Sequence, residues 1–239
     1  MSNHSFSLAI CGDGAVGKSS IIKAFKDEGF SSIYRQTLGI AFLEKQIKIR
    51  GNAISLRLWD IGGQSLNSNN IYNYLIGANA IFICYDVTNK ESFMNTNDWL
   101  LKVNNALKKN ISNDSINSNG HGNVSLYLVG NKIDLFSSRQ VTVEMHNDFI
   151  HNNNLKDGLF LSAKSGENLM KSFYKIAGDV VGLPLSSAEL ATYDKVLSAV
   201  VSISDDNEGR TALADQIEAE DREAMRKQQQ QDAMCCIIC

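Results

Sequence analysis

Proline is nearly missing: Pro184 is the only one in 239 residues. Proline-rich linkers and recognition arms are thereby excluded, and the single proline, two residues after Gly182, reads as punctuation at the end of a folded unit. Long apolar runs are missing too. No stretch approaches the roughly 18 residues of a membrane-spanning helix. Met1-Ser2-Asn3-His4-Ser5 followed by the short run Phe6 to Cys11 lacks the layout of a signal peptide, so the chain is expected to be made and kept in the cytosol. Of five cysteines, Cys11 and Cys84 sit in apolar, strand-like runs and read as small core residues. Cys235, Cys236 and Cys239 crowd the last positions. The histidines (His4, His121, His146, His151) are not placed to make a zinc site with them, and no disulfide framework is spelled out. Basic residues are not clustered and the net charge is −3, so nucleic acid is not expected as a partner.

What is present suits a soluble core: 44% of the residues are hydrophobic and 21% charged. Short runs rich in Ile, Val, Leu and aromatics alternate with longer helical patterns, the signature of βαβ units around a mostly parallel sheet. Strands are predicted near 6–11, 41–50, 53–59, 80–86, 124–130 and 158–161, and helices near 18–28, 70–77, 91–108, 142–153 and 166–181. Gly51-Asn52 joins the second and third strands between alternating residues, so one antiparallel hairpin should interrupt the parallel order. The polar stretch that includes Asn110, Asn113, Asn117, Asn119 and Asn123 reads as a surface insertion at about 109–123. After Pro184, Ser186 and Glu189 have capping-box spacing, and Leu190, Tyr193, Val196 and Leu197 follow at helical spacing, as in a short helix packed back on the domain.

The strongest local signal is Gly12-Asp13-Gly14-Ala15-Val16-Gly17-Lys18-Ser19, a complete G-x-x-x-x-G-K-[ST] between a strand and a helix. Glycines let the backbone wrap close to phosphate oxygens, successive N–H groups and the helix N-terminus face the anion, and Lys18 adds a point charge. Ser19 offers a hydroxyl to magnesium, and Ser20 can bond a phosphate.

Two further motifs choose the base. Asn131-Lys132-Ile133-Asp134 and Ser162-Ala163-Lys164 each follow a strand. Asp134 can accept from guanine N1–H and the exocyclic amino group, whereas adenine would leave the buried carboxylate unpaired at a cost. The stem of Lys132 would cover one face of the base, Asn131 would tie loops together, and the Ala163 N–H would face guanine O6.

In this order the motifs resemble those of Ras-superfamily small GTPases, over roughly residues 5–182. The resemblance implies a P-loop NTPase three-layer α/β sandwich: a six-stranded, mostly parallel sheet with one antiparallel hairpin and helices on both faces. It implies that Thr37 binds magnesium and senses the γ-phosphate, that Phe30 packs against guanine, and that Asp60 holds Mg2+ through water. The Gly63 N–H would meet the γ-phosphate and Gln64 would orient the attacking water, with GTP as substrate and GDP as product. Within the superfamily, Trp59 before Asp60, Tyr74-Leu75-Ile76-Gly77-Ala78 and Ile83 to Phe93 resemble the Rab family. The form Asp60-Ile61-Gly62-Gly63-Gln64, the P-loop and the pair Asp98-Trp99 resemble its divergent twenty-eighth subfamily. Divergence sits in the switches: Leu38-Gly39-Ile40-Ala41-Phe42, and Ser65 to Asn70 after Gln64.

This resemblance implies a GTPase domain over 5–183 and a tail over 184–239. It also implies effectors, an exchange factor and a GTPase-activating protein that read residues 31–42 and 60–76, with slow intrinsic hydrolysis. From residue 205 onward acids outnumber bases nine to four. The tail is therefore expected to be a mobile acidic, Gln-rich tether. Its ending, Cys235-Cys236-Ile237-Ile238-Cys239, reads either as a C-a-a-X box on Cys236, with Cys235 a palmitoylation candidate, or as a doubly prenylated Cys-Cys ending. An acidic tether offers no basic second signal, so two lipids or reversible attachment to the cytosolic membrane face should follow. The expected function is a Rab-like switch in vesicle traffic. The alternatives are a GTP-binding scaffold with little turnover and a Ras-like signalling GTPase outside traffic.

Overall fold

The computed structural model describes residues 4–26, 36–37, 39–63, 71–113 and 124–193, all within one compact unit, Met1–Ser198. Six strands form one sheet: β1 (His4–Gly12), β2 (Ile40–Ile49), β3 (Asn52–Ile61), β4 (Ala80–Asp86), β5 (Ser125–Asn131) and β6 (Asp157–Phe160), in the order β2-β3-β1-β4-β5-β6. Every neighbouring pair is parallel except β2 with β3. The sequence-predicted mixed sheet is thus observed, with the hairpin at one edge.

The hairpin turn falls on Arg50 and Gly51 instead of Gly51 and Asn52. Both turn residues have positive φ, 48° and 80°, as a two-residue type I′ connection demands, and Asn52 pairs with Ile49 across the ladder.

Strand side chains alternate between the two faces, and both faces are buried. On one side Phe6, Leu8, Ile10, Leu56, Phe82 and Tyr127 pack with α1 (Lys18–Lys26) and α6 (Leu169–Val180), where Phe25 and Phe173 stack with ring centroids 4.0 Å apart. On the other side Ala9, Ile81, Ile83, Tyr85 and Leu128 pack with α2 (Ile71–Ile76), α3 (Lys90–Met94), α4 (Thr96–Asn113) and α5 (Val143–Asn152). Each fully buried large apolar side chain contributes roughly 1.5–3 kcal/mol, so the two layers fix the sheet and hence the loops at its C-terminal edge.

Two helical expectations are corrected. The helix expected over 91–108 is two elements that meet at Asn95, and its second part runs on to Asn113, into the stretch read as an insertion. Bonds from Asn95 N–H to Glu91 O and from Trp99 N–H to Asn95 O carry the chain through the join, so the apolar periodicity passes unbroken across it. Residues 114–123 lie outside the described residues.

A short helix, α7 (Ser187–Tyr193), follows Pro184. The Ser186 N–H donates to Glu189 Oε2 at 2.8 Å and the Glu189 N–H donates to Ser186 Oγ at 3.3 Å, so the capping box forms. Leu190 is buried, and Tyr193 stacks on Tyr174 of α6 at 3.9 Å. Residues from 194 onward, including most of the acidic tether, lie outside the described residues.

Candidate functional site

The P-loop leaves β1 at Gly12 and enters α1 at Lys18. A side-chain carbon at Gly12 (φ 139°) would come 2.2 Å from Cys84 O, and one at Gly17 (φ 96°) would come 2.3 Å from Asn131 Nδ2, so glycine is required at both ends. Ala15 between them also has positive φ, 61°. Gly14 and Ala15 stand exposed at the crest while Val16 anchors the loop in the core. Lys18 is buried, and its ammonium donates to Gly12 O at 2.8 Å and Asp13 O at 2.6 Å. Burial pulls its pKa down from the usual lysine range. Ser20 follows, half-buried, on the first turn of α1.

Three oxygen-bearing side chains from separate segments converge beside this loop. Ser19 Oγ lies 2.7 Å from Thr37 Oγ1 and donates to Asp60 Oδ2 at 2.5 Å. Thr37 Oγ1 reaches the same carboxylate oxygen at 3.5 Å. Asp60 is buried, which raises its pKa against the opposing hydrogen bonds, and its Oδ1 has no hydrogen-bond partner. Two hydroxyls and a carboxylate with a buried, unpartnered oxygen make a hard-oxygen donor set that fits Mg2+. Gly63, at the end of the same segment, packs against the P-loop backbone, and the Gly62 N–H donates to Gly39 O at 2.9 Å.

The base-side motifs meet at the ends of β5 and β6. Asn131 is buried; its Nδ2 donates to Val16 O at 2.8 Å and its Oδ1 accepts the Ala163 N–H at 3.1 Å. The donor expected to face guanine O6 is therefore engaged in the tie between loops. Ser162 Oγ donates to Asp134 Oδ1 at 2.6 Å and accepts from the N–H groups of Lys164 (3.2 Å) and Ser165 (3.0 Å), holding the carboxylate against the Ser-Ala-Lys turn, where Ser162 and Ala163 are buried and Lys164 is exposed. Lys132 has φ 67°, and its ammonium pairs with Asp86 Oδ2 at 2.7 Å, which fixes the direction of its aliphatic stem.

Thus Gly14 to Ser20, Thr37, Asp60, Gly63, Asn131, Lys132, Asp134, Ser162, Ala163 and Lys164 gather along one edge of the sheet. Phe30, Gln64, Cys235 and Cys236 lie outside the described residues.

Sequence reasoning missed three groups. Asp86 holds Lys132 and accepts from Thr88 N–H (2.8 Å) and Thr88 Oγ1 (2.7 Å); its place at the end of a buried strand was the available signal. Asp13 hydrogen-bonds Trp99 and Asn95. Phe42, half-exposed at 51%, lies against Trp59 at 4.5 Å, and Trp59 against Tyr74 at 4.9 Å, forming an aromatic row beside the switch segments.

A P-loop, a cluster of hard-oxygen side chains beside it and two further loop motifs at the ends of β5 and β6, all on one α/β sheet, point to a P-loop GTPase, and comparison with known proteins agrees. The model of the Ras family matches residues 7–181, and the chain belongs to that family of GTP-hydrolysing small GTPases. It is Rab-like: the Ras-related protein Rab-28 of Caenorhabditis elegans is 39% identical over 184 residues, covering 77% of this chain and 70% of the relative. Among the described residues no helix is long and apolar enough to cross a membrane.

Proposed function

We propose that this GTPase is a Rab-like switch of intracellular vesicle traffic, held reversibly on the cytosolic face of a membrane by prenyl groups on Cys236 and, in the two-lipid form, Cys235. The reading rests on one observation above the others. Ser19 of the P-loop, Thr37 of the first switch and Asp60 at the root of the second share a single hydrogen-bonded cluster. A change at the phosphate site is thereby felt by both loops, the order-and-release device on which such switches run.

In this reading the N–H groups from Gly14 to Ser19 cradle the phosphates, and Ser20 adds a hydroxyl. Lys18 supplies positive charge, Asp134 selects guanine, and Lys132, Phe30 and the Ser162-Ala163-Lys164 turn enclose the base. Ser19 and Thr37 would hold Mg2+ directly and Asp60 through water. When bound, such an ion would supply neutralisation of phosphate charge. Gln64 orients the attacking water, and the Gly63 N–H marks the γ-phosphate. Segments 31–42 and 60–76, with the aromatic row Phe42, Trp59 and Tyr74, form the surface for effectors, an exchange factor and a GTPase-activating protein. The domain over 5–183 carries the switch, and the chain after Pro184 carries the anchor.

The test is carried out on the full chain. Single-turnover hydrolysis should be slow in the wild type and slower still in Gln64→Leu; equal rates remove Gln64 from its role. In cells, tagged wild type should decorate a membrane compartment, while Ser19→Asn and the Cys235→Ser/Cys236→Ser double variant should spread through the cytosol. Retention of the double variant on membranes overturns the anchor.

A further inference from the structure

Asp13 places a carboxylate inside the loop whose N–H groups would face phosphate. Like charge there is repulsive unless its position is controlled. The structure shows the control. Asp13 Oδ1 accepts the indole N–H of Trp99 at 2.8 Å and Oδ2 accepts from Asn95 Nδ2 at 2.7 Å, so both carboxylate oxygens are committed to the α3–α4 junction. Trp99 is 1% exposed and lies in the same buried layer as Leu100, Val103 and Ala106, so its donor is held by the core. The main chain of the same residue is gripped from the other side, because Asp13 O accepts from Lys18 Nζ and the Asp13–Gly14 backbone abuts Gly63.

We propose that Asp13 is a positioning residue for the bound nucleotide. Its carboxylate, clamped by Trp99 and Asn95, sets the path of the P-loop and hence the aim of the N–H groups that follow it. The proposal rests on the assignment of the P-loop to guanine nucleotide. Bonds to an ionised acceptor are among the stronger ones in proteins, and a loop held from α4 keeps its donors preorganised so that less ordering is left for binding. Nucleotide residence time, more than fold stability, should register the loss. The break at Asn95 gains a reason here as well: the short helix α3 ends where the Asn95 side chain turns to the P-loop.

The test is the dissociation rate of a fluorescent GDP analogue from the full chain in excess Mg2+. Asp13→Ala and Trp99→Phe should each speed release about tenfold, equivalent to roughly 1.4 kcal/mol. The double variant should stay far below the hundredfold product, because both changes remove the same bond. Ile49→Ala, a core truncation in the opposite layer at the hairpin end of β2, should lower Tm without speeding release. Release at the wild-type rate in Asp13→Ala overturns the proposal, as does a fully multiplicative double variant. Equal acceleration by Ile49→Ala also overturns it, since general loosening would then explain the effect. Should Asp13→Ala fail to fold, Asn95→Ala at its half-buried site carries the test, with about threefold faster release expected and an unchanged rate overturning the clamp. Wild type that does not prefer the GDP analogue over its ADP counterpart brings down the guanine assignment itself, a different result from bound nucleotide released at an unaltered rate.

Discussion

Gly63 meets Gly14 backbone to backbone: a side-chain carbon at position 63 would stand 2.2 Å from Gly14 N and 2.6 Å from Asp13 C. Neither partner is the yielding end of a flexible side chain, so the second switch can close on the P-loop only with glycine there. Gly63→Ala should still bind GDP but lose the closed arrangement. Limited proteolysis across 60–76 should then show no added protection when a non-hydrolysable GTP analogue replaces GDP. Protection equal to that of the wild type would refute the role of this contact.

Stability should fall with acidity through one buried histidine. His146 on α5 is 1% exposed, its Nδ1 lies 2.9 Å from Tyr85 Oη, and its ring packs on Phe160 at 4.2 Å. Burial above all, then nearby Arg139, lowers its pKa to about 4, with Asp157 opposing. In the unfolded chain the value returns to about 6.5, so between these two pH values the unfolded state binds more protons and stability drops as pH falls. The loss should total on the order of 3 kcal/mol and level off near pH 4. Urea unfolding of the nucleotide-bound protein at stepped pH measures it. His146→Phe should flatten that part of the curve, and an unchanged slope would exonerate His146.

The hairpin turn and α7 are joined by an exposed clasp. Arg50 donates from Nε and Nη2 to Glu189 at 2.8 Å each and from Nη2 to Pro184 O at 3.1 Å. Exposed ion pairs contribute little to global stability. Arg50→Ala should therefore leave the unfolding midpoint nearly unchanged, while amide exchange over Ser187–Tyr193 accelerates and the difference shrinks in high salt. Unaltered exchange would show that the Tyr193–Tyr174 stack and the capping box hold the helix without the clasp.

The fold and the motifs that it brings together beside the P-loop are legible because they are local or periodic. The stretch from Gly12 to Ser19, Asn131 to Asp134 and Ser162 to Lys164 are contiguous motifs, and the alternation in β2 and β3 announces a hairpin. What escaped depends on residues far apart in the chain. Nothing near Asp13 points to Trp99, 86 positions away, and nothing near Glu189 points to Arg50, 139 positions away. The turn at Arg50 and Gly51 was misplaced by one residue because Gly51-Asn52 and Arg50-Gly51 differ only in which backbone adopts positive φ. The split at Asn95 was invisible for a related reason: apolar spacing is preserved across it, and its cause is a side chain reaching another loop.

Asn131 spans the distance between the two ends of the site. One amide group takes hold of Val16 in the P-loop and of Ala163 in the Ser-Ala-Lys turn, so the two loops are tied to each other through a single side chain. A ligand that reached both loops would have to match their fixed separation as well as their chemistry, because neither loop can shift without straining the Asn131 bonds to the other.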